Sequence, residues 1–155
     1  MSFQVGNVIW KPTEKQEIFL SCPADEVLYG GAAGGGKTDA LIMSAIGESG
    51  IGFFDNNKWH VLVLRRTYPE LETSLIRRSL NLLYGKAKYD GAKHKWTSKA
   101  GGTIQFGHVK TENEVHRHQG AEYNRIIIDE LTHFSERMFL FLTTRNRTTD
   151  PKLHC

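Results

Sequence analysis

Val27-Leu28-Tyr29-Gly30-Gly31-Ala32-Ala33-Gly34-Gly35-Gly36-Lys37-Thr38 is the stretch that decides how this chain is read. A short apolar run, expected as a strand over Glu26 to Gly30, enters a glycine-rich turn that leads into a helix expected from about Lys37 to Gly47. Gly31 to Thr38 fits the spacing G-x-x-x-x-G-K-[ST] of a phosphate-binding loop, in the strand-to-helix context that loop requires. Glycine lets successive N–H groups turn toward one point, and the first helical turn adds unpaired donors and the positive end of its dipole. The expected phosphate cradle is Gly31, Ala32, Ala33, Gly34, Gly35, Gly36, Lys37 and Thr38. In it, Lys37 reaches the β- and γ-phosphates of ATP and the Thr38 hydroxyl ligates magnesium. A glycine-rich linker is the competing reading, and the flanking strand and helix argue against it.

Ile126-Ile127-Ile128 followed by Asp129-Glu130 supplies the second half of such a site. A strand this apolar, expected over Arg125 to Asp129, is buried on both faces and delivers two carboxylates at its C-terminal end, where open α/β sheets bind ligands. Asp129 is the expected magnesium ligand, and Glu130 the base that orients and deprotonates the attacking water. By themselves the two acids would equally suit a solvated strand end; the phosphate loop in the same chain tips the reading.

Further along, Val61 to Leu64 reads as another buried strand and Pro69 to Tyr84 as an amphipathic helix. Thr103 to Phe106 reads as a half-exposed strand and Phe134 to Thr144 as a further helix. Residues 1–25 read as an irregular lead-in with a short helix from Glu14 to Leu20. Strands alternating with helices predict an α/β domain with a largely parallel sheet. Arg65 and Arg66 follow the second strand closely enough to reach a γ-phosphate, but pairing with Glu70 or Glu72 is as good a reading, and they are kept out of the catalytic set.

With 155 residues, 39% hydrophobic and 24% charged, the chain has the makings of one globular domain. No apolar run approaches membrane-spanning length, and the N-terminus lacks the apolar core of a signal peptide. Cys22 and Cys155 have no metal-like partners and are expected as reduced thiols. A net charge of +3 permits nucleic-acid contact without showing it. The basic stretch Lys86 to Lys99, with Tyr89 and Trp96, suits a nucleic-acid backbone but is read in preference as a solvated loop. His116, His118 and His133 lack the spacing of a metal site.

Several blocks in order, YGGAAGGGKTDALIMSAI, VLVLRRTYPELETSLI, GGTIQFGHV and HQGAEYNRIIIDELTHFSE, give the chain a resemblance to the N-terminal ATPase region of the large terminase subunit of tailed bacteriophages, covering roughly Trp10 to Arg147. The resemblance implies a P-loop NTPase of the additional-strand, catalytic-glutamate class, with a mostly parallel sheet flanked by helices. It implies magnesium-dependent ATP hydrolysis that drives double-stranded DNA into a procapsid, in a homo-oligomeric ring on the portal, with a small terminase subunit, in the host cytoplasm. It also implies an adenine contact from a glutamine upstream of the first strand, a position Gln16 fills. Where some relatives carry a trans-acting arginine this chain has Gln119, which leaves Arg117, Arg65, Arg66, Arg145 and Arg147 as candidates. The family's coupling motif and nuclease domain lie beyond Cys155, so residues 1–155 are expected to be a truncated ATPase domain with an incomplete sheet. The alternatives are another DNA-dependent P-loop ATPase, of helicase or recombinase type, and a non-enzymatic nucleotide-binding fragment.

Overall fold

A two-stranded antiparallel ribbon, β1 (Phe3–Val5) and β2 (Val8–Trp10), stands where the sequence reads as irregular. The structure, a computed structural model, describes residues 3–5, 8–31, 36–150 and 153. Helix α1 (Glu14–Leu20) starts at a capping box: the Thr13 side chain accepts from the Gln16 N–H while the Gln16 side chain accepts from the Thr13 N–H. Helix α2 (Lys37–Ile46) follows the glycine-rich segment and buries Ile42, Met43 and Ile46.

The main sheet is built on β3 (His60–Arg65), whose four inner residues, Val61 to Leu64, are fully buried. After β3 the chain forms α3 (Tyr68–Leu71), a π-helical stretch over Glu72–Ile76 and α4 (Arg77–Leu83). The sequence predicts one regular helix here. The widened turn has a local cause, because Thr73 and Ser74 hydroxyls donate to the Pro69 and Glu70 carbonyls at 2.9 and 2.6 Å and compete with the regular ladder. Next come β4 (Lys88–Asp90), β5 (Lys95–Thr97) and β6 (Thr103–His108), then a 3₁₀ helix over Glu112–His118, β7 (Arg125–Ile128) and α5 (Glu136–Thr143).

These strands make one five-stranded sheet in the order β4-β5-β6-β3-β7, in which β6, β3 and β7 run parallel and β4 and β5 add an antiparallel hairpin. The architecture is thus mixed α/β, with helices on both faces. Strand alternation sorts the core into two layers. Val61, Val63, Trp96, Ile104, Phe106 and Ile127 pack toward α2 and the α3–α4 helical run. Leu62 and Leu64 pack on Val115, Met138 and Leu142 on the other side. No helix among the described residues is long and apolar enough to cross a membrane.

Two further expectations fail. Glu26 to Gly30 has no regular secondary structure and lies outside both sheets; Leu28 is 82% exposed, and Tyr29 stacks on Phe19 of α1 with ring centroids 4.6 Å apart. Three apolar residues without a partnered ladder gain more from the α1 contact than from an isolated strand, which has no hydrogen-bonded neighbour. The basic stretch, in turn, is not a loop. Tyr89 and Trp96 sit opposite each other across the β4–β5 hairpin, and Trp96 is buried, donating from Nε1 to Ser79 Oγ at 3.0 Å. The aromatic pair pins the hairpin to α4, and burial pushes the Tyr89 phenol up to about 12.

Candidate functional site

Gly36 forms the hinge between the loop and α2. Its φ of +70° is left-handed and favours glycine, and a Cβ there would press on the end of the Gln16 side chain and displace its amide. Gln16 Nε2 donates to the Gly36 carbonyl at 2.8 Å, and Gln16 Oε1 accepts from Thr13 N–H at 2.8 Å. Both ends of this buried amide are therefore spent on α1 and on the loop's last residue. Lys37 Nζ reaches back to the Gly31 carbonyl at 2.5 Å, and Thr38 lies half-buried in the first turn of α2. Ala32, Ala33, Gly34 and Gly35 lie outside the described residues.

Arg125 Nη1 donates to the Ser44 carbonyl at 2.7 Å, which sets the far half of α2 beside the start of β7. The helix consequently runs back along β7, with Lys37 and Thr38 at the end of the sheet where Asp129 and Glu130 emerge. Asp129 continues the ladder, its N–H donating to the Leu64 carbonyl at 2.9 Å. Burial raises its carboxyl above the ordinary value, against the lowering pull of Arg65 and, more weakly, of the Lys37 ammonium. Glu130 leaves the strand in a left-handed conformation, φ 56° and ψ 53°, which is strained for a residue with a side chain. That turn swings its carboxylate outward, with Oε2 3.3 Å from His133 Nδ1.

Arg65 joins the pair from the end of β3. Its Nη2 lies 2.5 Å from Glu130 Oε1 and its Nε 3.6 Å from Asp129 Oδ2, while Nη1 donates to Ser74 Oγ and the Glu70 carbonyl at 2.6 and 3.2 Å. The expected pairing with Glu70 thus goes to that residue's backbone, and the guanidinium belongs to the acidic site. Its signal in the sequence is register: Leu64 pairs with Ile128, so the next residue on β3 stands beside Asp129. Arg66 turns to the opposite face, onto the Val109 carbonyl and the Phe134 ring.

The remaining arginine candidates have local work. Arg117 faces Glu114, Arg147 faces Glu122 and Arg145 lies over the Phe141 ring. The histidines set aside from metal binding are dispersed: His116 packs edge-on to Phe141, His118 contacts the Tyr123 hydroxyl at 3.1 Å and His133 faces Glu130.

A magnesium ion needs few protein ligands, because phosphates and water complete its six oxygens. The Thr38 hydroxyl and the half-buried Asp129 carboxylate are the right hard donors for it. A carboxylate that burial pushes toward neutrality gains most from a cation. Among known protein families, curated proteins and solved structures, none matches this chain.

Proposed function

We propose that this chain is a P-loop ATPase domain of the additional-strand, catalytic-glutamate class, hydrolysing ATP with magnesium as the motor domain of a phage large terminase subunit and powering translocation of double-stranded DNA. The observation that carries the reading is convergence. Lys37 and Thr38, which open α2, and the strand end with Asp129 and Glu130 lie at one end of the parallel strands β3 and β7, close enough for the Lys37 charge to act on the Asp129 carboxyl. The same sequence blocks support the terminase assignment, with portal, small subunit and ring assembly following from it.

In this reading the loop amides and Lys37 bind the triphosphate and meet the negative charge that grows on the transferring phosphoryl group. Thr38 and Asp129 would hold magnesium, which neutralises phosphate charge. Glu130 accepts a proton from the attacking water as its oxygen bonds to the γ-phosphorus and the bond to ADP breaks. Arg65, hydrogen-bonded to Ser74, fixes where the Glu130 carboxylate points. Gln16 holds the loop's end; an adenine contact from its amide would replace one of the two hydrogen bonds it makes here.

Steady-state ATPase assays test this directly. Lys37→Ala should abolish turnover and weaken nucleotide binding, whereas Glu130→Gln should lose about 10²–10⁴-fold in turnover with binding retained. Undiminished hydrolysis in Glu130→Gln would remove the assignment of the base.

One observation favours a second reading, a nucleotide-binding fragment without turnover: the segment entering the loop is outside the sheet, with Leu28 exposed. A magnesium-ATP titration that shows binding in the unmodified chain with no phosphate release would select it.

A further inference from the structure

One face of the main sheet is covered only in part. Over β3 and β7 the 3₁₀ helix at Glu112–His118 and α5 close it with Val115, Met138 and Leu142. Toward the hairpin the same face carries Lys88, Asp90, Lys95, Thr97, Thr103 and Gln105, which the strand registers set side by side. All of them are at least partly exposed, and no apolar cluster among the described residues closes over them. Lys93 and Lys99 stand exposed in the turns at the two ends of β5.

Charge is concentrated in this region. Residues 86–99 hold five lysines against the single acid Asp90, a net +4, while the whole chain is +3, so the remainder carries −1. Asp90, opposite Lys95 on the same face, accepts the Ala92 and Lys93 N–H groups through Oδ1 at 3.0 Å each and attracts the Lys93 and Lys95 ammonium groups, so one acid offsets part of a five-lysine excess. Among the described residues, Arg65, Arg78, Arg117, Arg137 and Arg147 are each within 4 Å of a carboxylate, and none of the hairpin lysines is. A hairpin holding several ammonium groups with no carboxylate within 4 Å matches a surface of regularly spaced anions.

We propose that this polar half of the sheet face, with Lys88, Lys93, Lys95 and Lys99, docks the phosphate backbone of double-stranded DNA. Duplex is favoured over single strands because the hairpin aromatics, Trp96 and Tyr89, point into the core and leave this face without a ring on which unstacked bases could stack. The Gln105 amide is spent on the Lys93 and Phe106 carbonyls and the Thr103 hydroxyl on His60, which leaves the lysine ammonium groups and the Thr97 hydroxyl for phosphate and sugar oxygens, contacts that carry position and no sequence. The surface therefore binds duplexes of any sequence. The proposal rests on the motor reading only in choosing DNA among polyanions.

The test is fluorescence anisotropy of the full chain with a labelled duplex and with a single strand of equal length, without nucleotide, across a salt series. About three phosphate contacts give a slope near −2.7 in log K against log salt, or roughly 40-fold weaker binding at 200 mM than at 50 mM. Lys88→Glu/Lys95→Glu should flatten the slope and remove most of the affinity, and adding Lys93→Glu/Lys99→Glu should abolish binding. The control Lys11→Glu/Lys110→Glu should change it little, with unchanged thermal melts certifying the folds. An effect no larger than the control's overturns the proposal, as does tighter binding to the single strand. Aggregation of the hairpin variant with affinity intact would mean that the lysines only protect a sheet edge, and would equally overturn it. DNA-free ATPase activity is measured in parallel, so failure of the motor reading and failure of this surface are told apart.

Discussion

At Gly36, two demands coincide that separate substitutions can resolve. Ala at this position must hold a left-handed φ, at about 1–2 kcal/mol, and must also push aside the Gln16 amide. Urea unfolding should show Gly36→Ala more destabilised than that conformational cost alone, and Gln16→Ala in the same chain should return the excess and leave the backbone share. Asp129 offers a test by pH. Burial holds its folded carboxyl above the ordinary 3.8, so the folded state binds the proton more tightly than the unfolded chain does. The charged form therefore costs stability, and this cost is absent below 3.8 and grows as pH rises through the folded value. Asp129→Asn should melt higher than the unmodified protein at neutral pH, and the gain should vanish in acid below 3.8. A variant that melts lower at pH 7 would show that the Arg65 attraction outweighs burial.

Among the elements, the β4–β5 hairpin depends on one side chain. Trp96 is 1% exposed, packs on Tyr89 and donates to Ser79, so Trp96→Ala should cost about 3–5 kcal/mol in chemical denaturation and detach the hairpin from α4. Here the sequence misleads for a physical reason. Lys86 to Lys99 is polar at every second position because one face of the hairpin is uncovered, and a short strand pair of that composition reads as a loop. By contrast β3 is legible, since four apolar residues in a row require cover on both faces, and β7 shows as three isoleucines, although as the edge strand it buries only Ile127 fully. Helix α2 is legible from its glycines and its apolar spacing. The entry to the loop is not, because an apolar triplet does not reveal whether a neighbouring strand exists to receive it, and Val27 and Leu28 lie outside the sheet. At the site, the loop and the acid pair carry motif spacing, so Lys37, Asp129 and Glu130 can be read directly. Arg65 becomes visible only through the pairing of two strands 65 residues apart in sequence from its partner Glu130.

For the molecule as a whole, the consequence is a coupling between ligand and stability. The groups assigned to ATP come from the turn before α2 and from the ends of β3 and β7, elements that Arg125, Arg65 and Gln16 already tie together. A ligand engaging all of them binds the folded chain and not the unfolded one, and at 100 times its Kd it adds about 2.7 kcal/mol. For a domain of this size that corresponds to a rise in Tm of roughly 5–10 °C, read by differential scanning fluorimetry with magnesium and a non-hydrolysable ATP analogue. Glu130→Gln should keep the shift, because it alters the base and leaves the cradle, while Lys37→Ala should lose it. The hairpin variant Lys88→Glu/Lys95→Glu should also keep it, since those lysines lie on the sheet face and not at the strand ends. A melting point that magnesium-nucleotide leaves unmoved in the unmodified chain would mean that Gly31 to Thr38 forms no working cradle, and would take both the ATPase reading and the weaker nucleotide-binding one with it.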